Sequence, residues 1–311
     1  MRVFVAGASG AIGRPLTRQL VAAGHQVTGM TSRQASAAMA DADGATAIVC
    51  DALDPTAVGA AVADARPEVV ISQLTRLPRD DFNPKTIDYG PTNRVRFEGG
   101  RNLLTAAVAS GTRRFVSQSI AFLYAPEGDA VKDEEGKVWT DPPQPFRSGV
   151  EPTLGHERDV LAAEGLEGLV LRYGFLYGPA TYYAADGGTA AQVRARRFPI
   201  VGRGMGTFSF VHVEDAAAAT VAACERGAGG IYNIVDDDPA PLREWLPLYA
   251  EALGAKRPLR VPKLLARIVG GAFATTLATD LRGASNAKAK RELGWQPRYP
   301  SWRQGFREAL G

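Results

Sequence analysis

The residues with the clearest chemical potential lie near the amino terminus. Gly7-Ala8-Ser9-Gly10-Ala11-Ile12-Gly13 follows a short apolar run and precedes an apolar helical one. A glycine-rich turn from strand into helix lets the backbone approach a pyrophosphate, whose charge meets the helix amino terminus. Pro15 falls in the opening turn, where its missing N–H costs little. Gly7, Ser9, Gly10, Ala11, Ile12 and Gly13 therefore read as a dinucleotide cradle. An NAD site needs an acidic side chain about 20 residues on to hold the ribose 2′-hydroxyl, yet residues 1–40 contain no Asp or Glu. The second strand ends in Thr31-Ser32-Arg33. Two hydroxyls and a planar guanidinium suit a 2′-phosphate. The expected cofactor is NADP(H).

Such a cradle must be held by a sheet. Residues 2–6, 26–30, 45–50, 68–72, 114–118 and 168–173 are short, continuous apolar runs, the pattern of strands buried on both faces. Helix-length segments separate them, near 12–23, 33–40, 55–64, 92–110 and 151–164. The alternation predicts a doubly wound α/β domain with a parallel sheet. The expected division gives residues 1–174 to this domain, with 207–235 returning to it through a strand, an alanine-rich helix and a strand. Residues 175–206 and 236–311 form a smaller, mostly helical lobe over the ligand edge of the sheet.

Composition narrows the class. Of the 311 residues 45% are hydrophobic and 22% charged, a globular balance. The net charge of +3 argues against a nucleic-acid partner. No uncharged run is long enough to cross a bilayer, so no membrane partner is expected. The opening MRVFVAGASG leaves no room for a signal peptide, and Cys50 and Cys224 are too few for a disulfide framework. A cytoplasmic protein acting on a small molecule is the expectation. Three scattered histidines offer no metal-ligand spacing.

The spacing GxxGxxG, with Asp51-Ala52, Gly100-Arg101-Asn102-Leu103-Leu104, Arg114-Phe115-Val116, Leu171-Arg172-Tyr173, Tyr177-Gly178-Pro179, Phe210-Val211-His212-Val213-Glu214-Asp215 and Glu292-Leu293-Gly294-Trp295, resembles the extended or atypical short-chain dehydrogenases/reductases, the NAD-dependent epimerase/dehydratase family. The resemblance covers nearly the whole chain. It implies a Rossmann sheet, Asp51 and Ala52 against the adenine, Gln73 beside the cofactor, and leaves open a homodimer through the fourth and fifth helices.

The chain departs from that family where the chemistry occurs. Family catalysis rests on Tyr-x-x-x-Lys in the helix after the fifth strand, with a Ser or Thr at that strand's end. Aligned on Glu157, the pair falls on Gly149 and Thr153. No tyrosine lies between Tyr124 and Tyr173, and no lysine between Lys137 and Lys256. The phosphate-holding Asn and Arg of the sugar-nucleotide members fall on Phe175 and Phe208. Aromatic rings there favour an apolar or aromatic substrate over a nucleotide sugar. Ser119 and Tyr124 are the candidate proton donors, while Phe175, Tyr177 and Phe208 are the candidate substrate wall. His156 reads as a surface histidine and His212 as a structural hydrogen bonder. The reading is an NADP(H)-dependent oxidoreductase reducing a small carbonyl or enone. An epimerase or dehydratase with tightly bound NAD(P), and a non-catalytic NADP-binding regulator, are the alternatives.

Overall fold

The computed structural model describes residues 1–77 and 88–310. Seven strands form one parallel sheet: Arg2–Ala6, Gln26–Thr31, Thr46–Val49, Val69–Ser72, Arg114–Ile120, Glu167–Tyr173 and Gly230–Ile234. Numbered in that order, they lie seventh, sixth, fifth, fourth, first, second, third across the sheet. The register sets Val5 between Gly29 and Ile71, and Val116 between Ile71 and Leu169. The chain winds outward from the first strand and then crosses to the fourth. The resulting switch point opens a crevice between the ends of those two strands, the place such sheets bind ligands.

Both faces of the sheet are covered by helices over its central strands, which is why those strands are mostly apolar, while the edge strand Thr46–Val49 is partly exposed. Val3 and Val5 pack on one side with Leu16, Leu20, Ala216 and Ala219. Phe4 packs on the other with Val58, Val62, Leu103 and Ala107. The helices are Gly13–Ala22, Gln34–Ala42, Pro55–Ala65, Gly100–Ala109, Arg147–Leu161 and Val213–Glu225. The fourth helical segment begins earlier than its sequence pattern suggests, at Gly90, and widens into a π-turn over Val95–Gly99 before Gly100.

The second lobe is built of pieces too short for a periodic signal. Phe175–Tyr177 pairs in parallel with Phe210–His212, and Thr207–Phe208 pairs antiparallel with Ala240–Pro241. The expected strand at Phe208 therefore joins these small sheets and not the central one. Their core is aromatic: Phe210, Trp245, Tyr249, Trp302 and Phe306 are all buried. The helix Lys263–Asp280 bends at Gly271, where φ is +84°. Among the described residues no helix is long and apolar enough to cross a membrane.

Candidate active site

The glycine loop hangs from the second strand, with the Gly7 and Ala8 amides donating to the Met30 carbonyl at 3.0 and 3.3 Å. Gly7 has φ +88°, and a Cβ there would lie 2.6 Å from the Gln73 carbonyl oxygen. A Cβ on Gly13 would collide with the Gly7 carbonyl. Only glycine lets the turn close this tightly against the fourth strand. The helix Gly13–Ala22 opens with no acidic residue in its first turn, so its free amides and dipole are available to an anion. Gln73, buried at the switch point, donates from Nε2 to the Tyr173 hydroxyl at 2.9 Å, while its Oε1 has no partner. An orphaned acceptor beside a tight glycine turn fits a ribose hydroxyl. The residues present therefore suit a dinucleotide.

Where the resemblance puts the adenine end, the charges are partitioned. Arg14 and Arg18 bind Asp43 at 2.7 and 3.1 Å, and hydrogen bonds and charge from both arginines outweigh burial to hold the Asp43 carboxyl below its usual range. Arg33 is exposed just past the second strand, beside exposed Ser32, and makes no ion pair among the described residues. Thr31 is different: its hydroxyl is buried and turned to the Arg33 carbonyl at 3.4 Å. Only one of the two hydroxyls expected at a 2′-phosphate is thus presented. Asp51 is exposed and caps a turn through the Leu53 amide at 3.0 Å, and the Ala52 carbonyl accepts from Asn102.

The two proposed donors sit in a buried polar chain. Ser119 Oγ donates to Glu157 Oε1 at 2.6 Å, and Arg172 clamps the same carboxylate at 2.9 and 2.6 Å. The Tyr124 hydroxyl accepts from Arg172 Nη1 at 3.3 Å and donates to Asn233 Oδ1 at 2.7 Å. Burial works against the Arg172 charge, but Glu157 outweighs it and raises its pKa. Burial likewise raises the Tyr124 phenol. Neither hydroxyl faces open space: Ser119 is 3% exposed and Tyr124 1%.

The helix that would carry the dyad meets the preceding helical segment at Asn93. Asn93 donates to the Ser148 carbonyl at 3.2 Å, and its Oδ1 lies 3.3 Å from where a Gly149 Cβ would stand. Thr153 turns its hydroxyl back to the Gly149 carbonyl at 2.6 Å. His156, one turn further, is not on the surface. It is buried, shares a 3.1 Å hydrogen bond with Ser117, and fills the room left by the missing Gly100 side chain. Burial lowers its pKa to about 4, so it is neutral near pH 7.

Arg96, which sequence reasoning missed, enters the same seam from the π-turn. Its Nε is buried without a hydrogen-bond partner, and it makes no ion pair among the described residues. Burial lowers its pKa to about 10, with Tyr89 acting the other way. Tyr89 in turn influences Tyr182 in the loop after the sixth strand. With Arg94 and Arg101 close by in the chain, Arg96 has no sequence signal that sets it apart.

Where a substrate wall is expected, beyond the carboxyl ends of the fifth and sixth strands, stands a ring stack. Half-buried Phe122 and Phe175 stack with centroids 4.6 Å apart, Phe208 backs Phe175 at 4.8 Å, and Phe146 stacks on Phe273 at 4.8 Å. Phe122, Phe146 and Phe273 were not among the residues expected. Tyr177 was expected on the wall but is sealed in the lobe core between Phe210, His212 and Phe306. Gly305 packs directly on its ring, so it cannot touch a ligand without repacking. His212 caps the helix Val213–Glu225 by accepting from the Glu214 amide.

A family model for the NAD dependent epimerase/dehydratase family matches residues 3–235, three quarters of the chain. The chain belongs to that family. Within it, the chain is 47% identical over 98% of its length to a Streptomyces protein named 3-diazoavenalumate denitrifying reductase, covering 99% of that protein. It is 28% identical over 96% of its length to a Stigmatella aurantiaca ketoreductase named for a farnesylated dihydroquinoline oxide, covering 92% of that protein. The UDP-glucose 4-epimerase of Thermotoga maritima superposes with a TM-score of 0.78 at 20% identity, covering 100% of this chain and 97% of that one. These likenesses support a reductase-type oxidoreductase on the epimerase/dehydratase scaffold.

Proposed function

We propose that this protein is an NADPH-dependent reductase of an aromatic diazo compound carrying a carboxylate. When bound, the nicotinamide supplies a hydride, which forms a C–H bond at the ring carbon of an aryl diazonium while the C–N bonding pair leaves with neutral N2. A carbonyl or enone substrate places that charge on oxygen, where a proton donor must meet it. Loss of N2 from a diazonium leaves no oxyanion. The observation that carries the reading is the helix Arg147–Leu161, whose dyad positions are Gly149 and Thr153, with the Asn93 side chain lying against the first of them. The name of the Streptomyces relative points the same way.

The chain's own residues then bind and orient. The glycine loop and helix Gly13–Ala22 hold the pyrophosphate, Gln73 the nearby ribose, and Asp51 and Ala52 flank the adenine. Arg33 and Ser32 meet the 2′-phosphate. Phe122 and Phe175 lie against the substrate ring, with Phe208 behind them. Arg96, which makes no ion pair among the described residues, takes the carboxylate. The polar chain from Ser119 to Asn233 keeps the floor rigid; Ser119 and Tyr124 are positioning residues in this reading.

The test is anaerobic mixing of the protein with NADPH deuterated at C4 and a diazotised aminoaryl carboxylate. The expected result is N2 release with deuterium at the carbon that bore nitrogen. NADPH consumption with ketones or enones, and none with the diazo compound, overturns the proposal.

A further inference from the structure

Outside the site, the most unusual surface is the approach to the bent helix and its first half. From Leu253 to Thr279 the chain carries Lys256, Arg257, Arg260, Lys263 and Arg267 and no acidic residue. All five cations are exposed. Within the same segment Leu259, Leu264, Leu265, Ile268 and Val269 are between 45% and 74% exposed. Single exposed leucines are ordinary, but five large aliphatics on one short segment are not. At helical spacing Leu264, Leu265, Ile268 and Val269 share one face, while buried Ala266 marks the face turned to the protein.

We propose that this face docks the protein on an anionic lipid surface. Aliphatic side chains flanked by lysine and arginine suit the boundary between headgroups and acyl chains, where the chains insert and the cations meet phosphates. Lys263 is held by Asp280 at 2.9 Å; Lys256, Arg257, Arg260 and Arg267 make no ion pair among the described residues and are placed to meet the headgroups. The charge decides against a second copy of the chain. A two-fold contact through this face would set these cations against their own copies. The early expectation of no membrane partner rested on the lack of a spanning run, which bears on crossing a bilayer and not on lying against one.

The docking face is mechanically continuous with the site. Beyond the bend at Gly271 the same helix presents Phe273, which stacks on Phe146 and so backs the aromatic wall. The protein would thus meet the lipid with one half of a helix whose other half packs behind the ring stack.

Co-sedimentation of the full-length protein with vesicles tests this. Vesicles containing phosphatidylglycerol should carry the protein down and pure phosphatidylcholine vesicles should not. Binding should fall away in about 0.5 M NaCl, where the Debye length shrinks to ~4 Å. Leu264→Asp with Leu265→Asp, and separately Arg260→Glu with Arg267→Glu, should each cut the bound fraction at least about tenfold. Both variants should keep the parent's NADPH affinity, which verifies their folding. Failure of the parent to bind anionic vesicles overturns the proposal, as does binding that survives both double variants. A concentration-dependent dimer abolished by the leucine changes, without vesicle binding, assigns the face to a second copy instead.

Discussion

Removing the two buried hydroxyls separates hydride delivery to a diazonium from carbonyl reduction. Tyr124→Phe strips a group that bonds Asn233 at 2.7 Å and Arg172 at 3.3 Å. Leaving those partners unsatisfied costs about 1–3 kcal/mol, or a fall in Tm of roughly 2–10 °C for a chain of this size. Ser119→Ala takes one hydrogen bond from Glu157 but leaves the two from Arg172, so a loss at the low end of the same range is expected. Turnover on the diazo compound should stay within about threefold of the parent in both variants, because no oxygen needs a proton. Had either hydroxyl been a general acid, its loss would cost ~10²- to 10⁴-fold, about 3–5 kcal/mol of transition-state stabilisation. Stopped-flow oxidation of NADPH, with cofactor affinity and Tm measured on the same samples, gives both numbers. A hundredfold drop in turnover at unchanged cofactor affinity and a still-cooperative melt would refute the assignment and restore the carbonyl reading.

Other perturbations probe single parts of the site. Arg33→Ala should weaken NADPH by roughly 10- to 100-fold in a fluorescence titration and leave NADH nearly unchanged; equal affinities for the two cofactors in the parent would show that no 2′-phosphate is held there. Arg96→Gln should raise KM for a carboxylate-bearing substrate by about 10- to 100-fold while sparing kcat, and should not affect a neutral analogue. Phe175→Asn should raise KM for the aromatic substrate about tenfold, and calorimetry of the parent should detect no UDP- or dTDP-sugar binding at millimolar concentration. His156 is buried with its pKa lowered from 6.5 to about 4. Between those values the unfolded chain binds the proton and the folded one does not, so this residue makes stability fall as pH drops, by at most ~1.4 kcal/mol per pH unit. His156→Gln should flatten the difference in denaturation midpoint between pH 7 and pH 5, and an unchanged slope would place its titration elsewhere.

The parts of this molecule that its sequence discloses are those whose cause is local. A strand dry on both faces must be apolar throughout, so six of the seven central strands stand out as short hydrophobic runs, with ends displaced by a residue or two. The glycine loop is legible for the same reason. Gly7 and Gly13 answer to contacts made within the turn or with the adjacent strand. The small strands of the second lobe, such as Thr207–Phe208 and Phe210–His212, are two or three residues long and have no period to read.

The catalytic region is less legible because its meaning lies between distant segments. Sequence shows that the dyad positions hold Gly149 and Thr153; it does not show what occupies the vacated face. Asn93 lies against it from 55 residues upstream of Ser148, and further along His156 takes the room that Gly100 leaves. Ser119 and Tyr124 looked available because each stands near a strand's carboxyl end. Glu157, Arg172 and Asn233 reach them from 38, 48 and 109 residues away and turn them inward. A lost proton-transfer pair alone is equally compatible with a regulator that binds cofactor and does nothing else. The ring stack beyond the fifth and sixth strands, the tight glycine turn at the switch point, and Arg96, which makes no ion pair among the described residues, support the proposed reductase over the regulator. Loss of N2 from a diazonium leaves no oxyanion to protonate, which is why the proposed reduction suits a helix without the dyad.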